Sequence, residues 1–250
     1  MGPIADSERY SPRRLARLAG ILGLAGIATG AFDIGYVQST LIVAGSPALT
    51  LHNIAAHQGL FRMGFSAHII ELLINIPGEV IAFYLFRRVN LFIAAIALFC
   101  GFVGIAVEAV DMLAAYLPFQ LATAGTALAS FTPDQVNAFA QLAAEWERAG
   151  LLLSWVFYGV DELASGFLMF RSGFFPRVLG LMLSLSGLCY FTHGLLSFLA
   201  PALDGRLYPY ILYPCLPGEG LSTLWLATVG LNVAKWRAWT EPGRSATAQS

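Results

Sequence analysis

Apolar runs long enough to cross a bilayer recur along the chain. A hydrocarbon core of about 30 Å requires about 20 predominantly apolar residues in a helix. Six segments meet this requirement, several of them interrupted by a single acidic residue. They run from about Leu15 to Val37, Leu60 to Phe86, Leu91 to Leu117, Gly150 to Phe170, Val178 to Leu199, and Cys215 to Ala234. The pattern predicts an all-α polytopic membrane bundle of six transmembrane helices.

Two connections between these spans carry the start signal of a short helix. Ser46-Pro47 and Thr132-Pro133-Asp134 each place an N-cap residue before a first-turn proline. After each start, apolar residues recur on one helical face and polar residues on the other. This pattern predicts two short interfacial helices on the outer side of the membrane, with ordinary extramembrane helices as the alternative.

The basic residues indicate the orientation of the bundle, because Lys and Arg collect at cytoplasmic ends of membrane helices. With the N-terminus inside, eleven of the 14 Lys and Arg residues lie on the inner side, and Arg62, Arg148 and Arg206 lie outside. Both termini are therefore expected in the cytoplasm. A cleaved signal peptide fits the N-terminus poorly, because Asp33 and Tyr36 follow its apolar run and no small-residue cleavage site is evident.

The domain organisation follows from the same pattern. Residues 1–14 are predicted to form a cytoplasmic segment, residues 15–237 a single six-helix transmembrane domain, and residues 238–250 a polar, disordered cytoplasmic tail.

Composition excludes several classes of protein. The chain of 250 residues is 57% hydrophobic and 12% charged, about half the charged share of an average soluble domain. A net charge of −1 with 14 basic residues argues against a nucleic-acid partner. Cys100, Cys189 and Cys215 lie in or near spans without metal-binding spacing, which favours small apolar fillers.

Two stretches carry a resemblance to a known family. Leu60-Phe61-Arg62-Met63-Gly64 opens the second span, and FRSGFFPRVLG, from Phe170 to Gly180, joins the fourth span to the fifth. With the order of spans, they resemble the bacterial multi-pass family filed as domain of unknown function 4386, over about residues 13–234. The resemblance implies the architecture and a place in a bacterial inner membrane. It supplies no activity and therefore no catalytic residue.

Acidic residues inside the predicted membrane segments are the main functional signal. An acid at a helix centre costs about 2.5–3.5 kcal/mol to insert, so these side chains are expected to face the bundle interior. Each span carries one polar stripe at helical spacing, as in the second span, where His68, Glu71, Asn75 and Glu79 share a face. The stripes are predicted to meet around a central polar pocket that opens toward the outer face. The acids concerned are Asp33, Glu71, Glu79, Glu108, Asp111, Asp161, Glu162 and Glu219.

Such a pocket suits an intramembrane enzyme that performs acid–base chemistry, such as cyclisation or isomerisation, on a lipophilic substrate of the isoprenoid kind. Its partner would be a lipid or small lipophilic molecule, and no cofactor is predicted. The predicted catalytic set is Glu71 and Asp161 as central acids, His68 and His193 as assisting groups, and Glu108, Asp111 and Asp33 around them. The predicted substrate-binding residues are Asn75, Tyr158, Tyr190, Arg62 and Arg148.

Four alternatives stay open at this point. His68 and Glu71 could hold a metal ion with His193 and Glu108 or Asp111, and the two histidines could ligate haem. Intramembrane acids and the Pro77-Gly78 break also fit a small proton-coupled transporter. A non-catalytic lipid- or partner-binding protein is a third alternative. In the fourth, the acids are neutral and only form hydrogen bonds between helices.

Overall fold

The computed structural model describes residues 11–240 and shows helices joined by short connections, with no strand in that range. The all-α prediction is therefore confirmed for these residues. A π-helical segment, Asp33–Gln38, lies within the first helix. In chain order the helices are α1 (Pro12–Leu41), α2 (Pro47–Ala56), α3 (Gln58–Phe86), α4 (Leu91–Thr123), α5 (Pro133–Ser172), α6 (Arg177–Leu199), α7 (Pro201–Leu207), α8 (Cys215–Thr228) and α9 (Val233–Thr240).

Five of these helices are long and apolar enough to cross a membrane: α1, α3, α4, α5 and α6. They contain the first five predicted spans. The sixth predicted span is divided, because the backbone turns at Gly230 (φ 73°) between α8 and α9. With 14 residues, α8 is about 21 Å long, shorter than a hydrocarbon core of about 30 Å. The predicted count of six transmembrane helices is not confirmed.

The second predicted interfacial helix is not a separate element. α5 runs without interruption for 40 residues, from Pro133 through the whole fourth predicted span. A capping box starts it, in which the Thr132 side chain accepts from the Gln135 amide and the Gln135 side chain accepts from the Thr132 amide. No proline follows before its end, so the helix continues into the bundle. The first predicted interfacial helix is present as α2, beginning at Pro47 as expected.

Small residues set the packing between the helices. At Gly166 and Gly180 the backbones of α5 and α6 approach so closely that a Cβ at either glycine would lie 2.7 Å from the other's carbonyl oxygen. α8 packs against both α1 and α6. At Gly218 of α8, a Cβ would lie 2.7 Å from the Met182 carbonyl oxygen of α6. α8 therefore belongs to the bundle although it is short.

One end of the bundle, called here the basic end, contains the start of α1, the end of α3, the α5–α6 connection and α9. The Trp236 indole donates to the Leu85 carbonyl (3.2 Å), and the Trp239 indole donates to the Ser172 carbonyl (2.8 Å). These two bonds hold α9 across the ends of α3 and α5. An apolar cluster that includes Phe86 closes this end beneath α9.

Candidate functional site

His68 of α3 lies at the centre of a hydrogen-bonded chain that joins four helices. Its Nδ1 is 3.1 Å from Asp33 Oδ2 of α1, and its Nε2 is 3.0 Å from Glu108 Oε1 of α4. The Tyr158 hydroxyl of α5 donates to Glu108 Oε2 (2.8 Å), and the Gln38 amide donates to Asp33 Oδ2 (3.1 Å). Both ring nitrogens can donate at once only in the imidazolium form, and otherwise one carboxyl must carry the proton. A proton can therefore be exchanged among the groups of this hydrogen-bonded chain.

Glycines allow these side chains to meet. A Cβ at Gly64 of α3 would lie 2.5 Å from Asp33 Oδ1, and a Cβ at Gly104 of α4 would lie 2.7 Å from the Tyr158 ring. Asp33 is the first residue of the π-helical segment of α1 and is 5% exposed. Small residues opposite Asp33 and Tyr158 thus make room for both side chains inside the bundle.

A cavity of about 190 Å³ lies beside the hydrogen-bonded chain around His68, between α1, α2, α3, α4 and α5. Most of the lining residues are apolar. Polar groups reach the cavity from α1, α2, α3, α4 and α5, and they are Asp33, Gln38, Thr50, His68, Asp111, Gln141 and Glu147. The cavity lies toward the end of the bundle opposite the basic end.

Glu147 lines the cavity, yet the predicted set of site residues does not contain it. The signal for it lies in α5, where Glu147, Leu151, Ser154 and Tyr158 follow one another at helical spacing on one face. The predicted fourth span begins only at Gly150, so the polar stripe predicted for it does not include this residue.

Glu71 and Asn75 lie one and two turns beyond His68 and face α1. A Cβ at Gly30 would lie 2.9 Å from Glu71 Oε2, and one at Gly26 would lie 3.5 Å from Asn75 Oδ1. Neither residue lines the cavity. Glu71 therefore adjoins the hydrogen-bonded chain from the side of the basic end.

Asp161 belongs to a second cluster. It is 8% exposed, accepts a hydrogen bond from the Ser165 hydroxyl (3.1 Å), and lies within interaction range of the Glu79 carboxyl. Glu79 follows His68 by eleven residues on α3, which corresponds to about 16 Å along the helix. The two predicted central acids, Glu71 and Asp161, therefore lie in different places, and one central pocket shared by all the polar stripes is not what the structure shows.

His193 forms a hydrogen-bonded pair with Asp204, separate from the hydrogen-bonded chain around His68. Its Nδ1 is 2.5 Å from Asp204 Oδ1 of α7, and the two residues are 3% and 2% exposed. The rings of Trp155 and Tyr208 flank the imidazole, with centroids at 5.4 and 5.5 Å. Since Asp204 lies outside the predicted spans, helical spacing within them could not indicate this pairing.

The remaining predicted residues are spread over the molecule. Tyr190 packs edge-on against the Trp155 ring (5.1 Å) and lies within interaction range of the Glu219 carboxyl. The Arg62 guanidinium lies over the Phe119 ring (5.2 Å), and the Arg148 side chain is exposed. Neither arginine lines the cavity. Between residues 11 and 240, no group of three or more His, Cys, Asp or Glu side chains has a metal-binding arrangement, and His68 and His193 do not share a site.

Comparison with known proteins gives a family and no activity. A protein of Archaeoglobus fulgidus described as an uncharacterized protein is 28% identical over 83 residues, which cover 33% of this chain and 48% of the relative. The matched stretch thus spans about half the length of that relative. No solved structure matches the chain. The family model described as "Domain of unknown function (DUF4386)" matches residues 18–230, and the chain therefore belongs to this family of membrane-spanning helical proteins.

Proposed function

We propose that this protein is an intramembrane enzyme that binds a lipophilic molecule in the cavity beside His68 and performs acid–base chemistry on it. One observation carries the proposal: the wall of a largely apolar cavity contains a histidine that is hydrogen-bonded to two carboxyl groups. An apolar wall favours a lipophilic ligand, and a few convergent polar groups orient it. A structural histidine needs no cavity beside it.

The residues around the cavity suit a proton transfer in both directions. His68 donates a proton to one carbon of a substrate double bond, which leaves positive charge on the neighbouring carbon. Asp111 or Glu147 accepts a proton from an adjacent carbon, so the double bond moves and no redox partner is needed. Phe61 and Phe65 line the same cavity, and aromatic faces stabilise a nearby positive charge. The acceptor carboxyl then releases its proton to water in the cavity, and His68 takes up one proton from that water, so the site returns to its starting state. Asp33 and Glu108 hold the imidazole in place through their hydrogen bonds.

The size of the cavity limits the substrate. A volume of about 190 Å³ is below the roughly 300–1,000 Å³ of sites that enclose a drug-sized ligand. We infer that only the reacting part of a longer lipophile, such as an isoprenoid chain, enters the cavity.

A proton-coupled transporter is the second candidate. The observation that favours it is the series of titratable groups on one face of α3, in which His68 and Glu71 are followed by Glu79, and Glu79 faces Asp161. Chains of intramembrane acids and histidines serve as proton relays in transporters.

Solvent deuterium tests the enzymatic proposal without knowledge of the substrate. The protein in nanodiscs made from a bacterial total lipid extract is incubated in D₂O, the lipids are returned to H₂O to remove exchangeable label, and mass spectrometry detects deuterium bound to carbon. We expect one labelled lipid species with the wild-type protein and with His52→Asn, which replaces an exposed histidine outside the cavity lining. His68→Asn is expected to reduce the label at least tenfold.

Two results would decide against this proposal. The enzymatic proposal fails if the wild-type protein labels no lipid carbon, or if His68→Asn labels as well as wild type. A pH-sensitive dye inside proteoliposomes then tests the second candidate, since proton entry that needs both Glu71 and Glu79 favours transport.

A further inference from the structure

A groove of about 600 Å³ lies at the basic end, far from the cavity. It is bounded by the start of α1, the α5–α6 connection from Gly173 to Pro176, the end of α8 and the start of α9. The α5–α6 connection is part of the FRSGFFPRVLG stretch, for which the proposed function has no role. The groove is therefore a second feature that requires an explanation.

The charged side chains that line the groove are all cationic. Arg13 and Lys235 line it, and no acidic residue between positions 11 and 240 does. The same holds for the basic end as a whole among the described residues, where the closest acids, Glu79, Glu219 and Glu162, lie seven or more residues inside their helices. The cations at this end are Arg13, Arg14, Arg17, Arg87, Arg88, Arg171, Arg177, Lys235 and Arg237. An anion in the groove would meet positive charge and no opposing carboxylate.

The walls of the groove are held in place by backbone contacts. Gly173 and Gly230 have φ angles of 68° and 73°, which only glycine adopts at low cost. The Asn232 amide donates to the Phe174 carbonyl (3.0 Å), which ties the α8–α9 turn to the α5–α6 connection. The Arg13 Nε donates to the Val229 carbonyl (3.1 Å), which fixes the guanidinium at the edge of the groove.

Aromatic residues place the groove at the boundary between lipid and water. Trp225 and the exposed Val229 line it, whereas the Phe174 and Phe175 rings are buried beneath it. The Trp236 and Trp239 indoles hold α9 nearby, and tryptophan is enriched at membrane interfaces. A ligand in this groove can thus place an anionic group against Arg13 and Lys235 and an apolar part against Trp225 and Val229.

We propose that the groove binds the phosphate headgroup of an anionic phospholipid, with Arg13 and Lys235 as its cationic contacts. A guanidinium matches two phosphate oxygens at once, and an ammonium adds a point charge. An anionic lipid in place of a soluble phosphate compound is favoured by the apolar walls and by the position at the helix ends. The orientation predicted from the basic residues places the groove on the cytoplasmic leaflet, where anionic lipids attract such clusters.

Native mass spectrometry of the intact protein tests the proposal. Protein from detergent is titrated with phosphatidylglycerol, with phosphatidylcholine, and with inorganic phosphate in separate arms. Wild-type protein is expected to retain one tightly bound phosphatidylglycerol in preference to phosphatidylcholine. Lys235→Gln is expected to weaken that binding about fivefold, as loss of about 1 kcal/mol per basic residue implies.

Arg88→Gln is the matched control, because it removes one exposed charge at the same end outside the groove lining. It is expected to bind as wild type does, and the melting temperature in phosphatidylcholine shows that both variants are folded. Arg13→Lys keeps the charge and removes the planar fork, and an intermediate affinity is expected. Three outcomes would overturn the proposal: equal weakening by Arg88→Gln and Lys235→Gln, equal retention of the two lipids, or displacement of the lipid by millimolar inorganic phosphate.

Discussion

Two buried serine hydroxyls in this bundle differ in whether they form a hydrogen bond. Ser186 and Ser222 are both almost fully buried, at 0% and 3% exposure. The Ser186 hydroxyl donates to the Cys215 carbonyl (3.1 Å), whereas the Ser222 hydroxyl has no partner among residues 11–240. A buried polar group without a hydrogen bond destabilises the folded state relative to an apolar group of similar shape. The two serines therefore offer a matched comparison.

Replacement of these serines by alanine is predicted to have opposite effects on stability. Ser186→Ala removes the hydrogen bond that the hydroxyl makes to the Cys215 carbonyl, so it is expected to lower the free energy of unfolding by about 1 kcal/mol. Ser222→Ala removes an unpaired hydroxyl and is expected to be neutral or stabilising. Thermal unfolding of both variants in the same detergent measures the difference. Equal destabilisation by the two variants would show that Ser222 has a partner, such as an ordered water.

The His193–Asp204 pair is predicted to contribute strongly to stability, because both residues are buried and each leaves the other unpaired when removed. Asp204→Ala is expected to lower the free energy of unfolding by about 3 kcal/mol, the range found when one partner of a buried pair is lost. In a double-mutant cycle with His193→Phe, the combined loss should fall short of the sum. The exposed Gln141–Glu145 hydrogen bond serves as control, and additive losses at His193 and Asp204 would contradict the pairing.

At the scale of elements, the contact between α5 and α6 depends on glycines in both helices. Gly159 and Gly166 of α5 lie opposite Gly187 and Gly180 of α6, and in each case the facing backbone occupies the place of a Cβ. Such small residues let helices approach closely within a membrane, where van der Waals packing replaces the hydrophobic effect as the main attraction. The close α5–α6 contact also positions Tyr158 and Asp161.

Gly166→Ala is predicted to destabilise the protein, because its Cβ would lie 2.5 Å from the Ser184 amide nitrogen, which belongs to the backbone and cannot rotate away. A loss of about 1–3 kcal/mol is expected, as for other overpacked sites. The control is Gly78→Ala in α3, where nothing lies within 4 Å of the added Cβ, and where alanine is expected to be neutral or stabilising. Chemical unfolding of both variants measures these values, and equal stability of the two would contradict the close packing.

The sequence predicts most of the elements and part of the site, for reasons that differ between residues. Hydropathy identifies the five long helices because lipid-facing helices must be apolar. The predicted sixth span continues through Gly230, because hydropathy does not register the positive φ angle at which the helix ends. Helical spacing places His68, Asp33 and Glu108 on inward faces. Helical spacing does not indicate which helices are neighbours, and it therefore predicts one site for His68, Asp161 and His193. In the structure, Asp161 pairs with Ser165 and His193 pairs with Asp204.

At the scale of the whole molecule, the chain after α6 returns through the bundle in two parts. Asp204 of α7 contacts His193, and Cys215 at the start of α8 contacts Ser186. His193 and Ser186 are seven residues apart on α6. Between its contacts with these two residues, the chain therefore passes back along α6 by about 10 Å. From there α8 adds about 21 Å, so the two parts together match a hydrocarbon core of about 30 Å. A composite sixth crossing thus remains compatible with the bundle although no sixth long helix exists among residues 11–240.

This composite crossing predicts that the start of α1 and the end of the described chain lie on the same side of the membrane. The Arg17 guanidinium donates to the Thr228 carbonyl (2.8 Å), so α8 ends at the level at which α1 begins. Single cysteines at the exposed positions Arg14, Asp134 and Ala238, in a variant without the three native cysteines, report sidedness by labelling with a membrane-impermeant maleimide. Arg14→Cys and Ala238→Cys are expected to react from one side, and Asp134→Cys from the other. Labelling of Ala238→Cys together with Asp134→Cys would instead mean an odd number of crossings, and α8 would then have to lie within one leaflet.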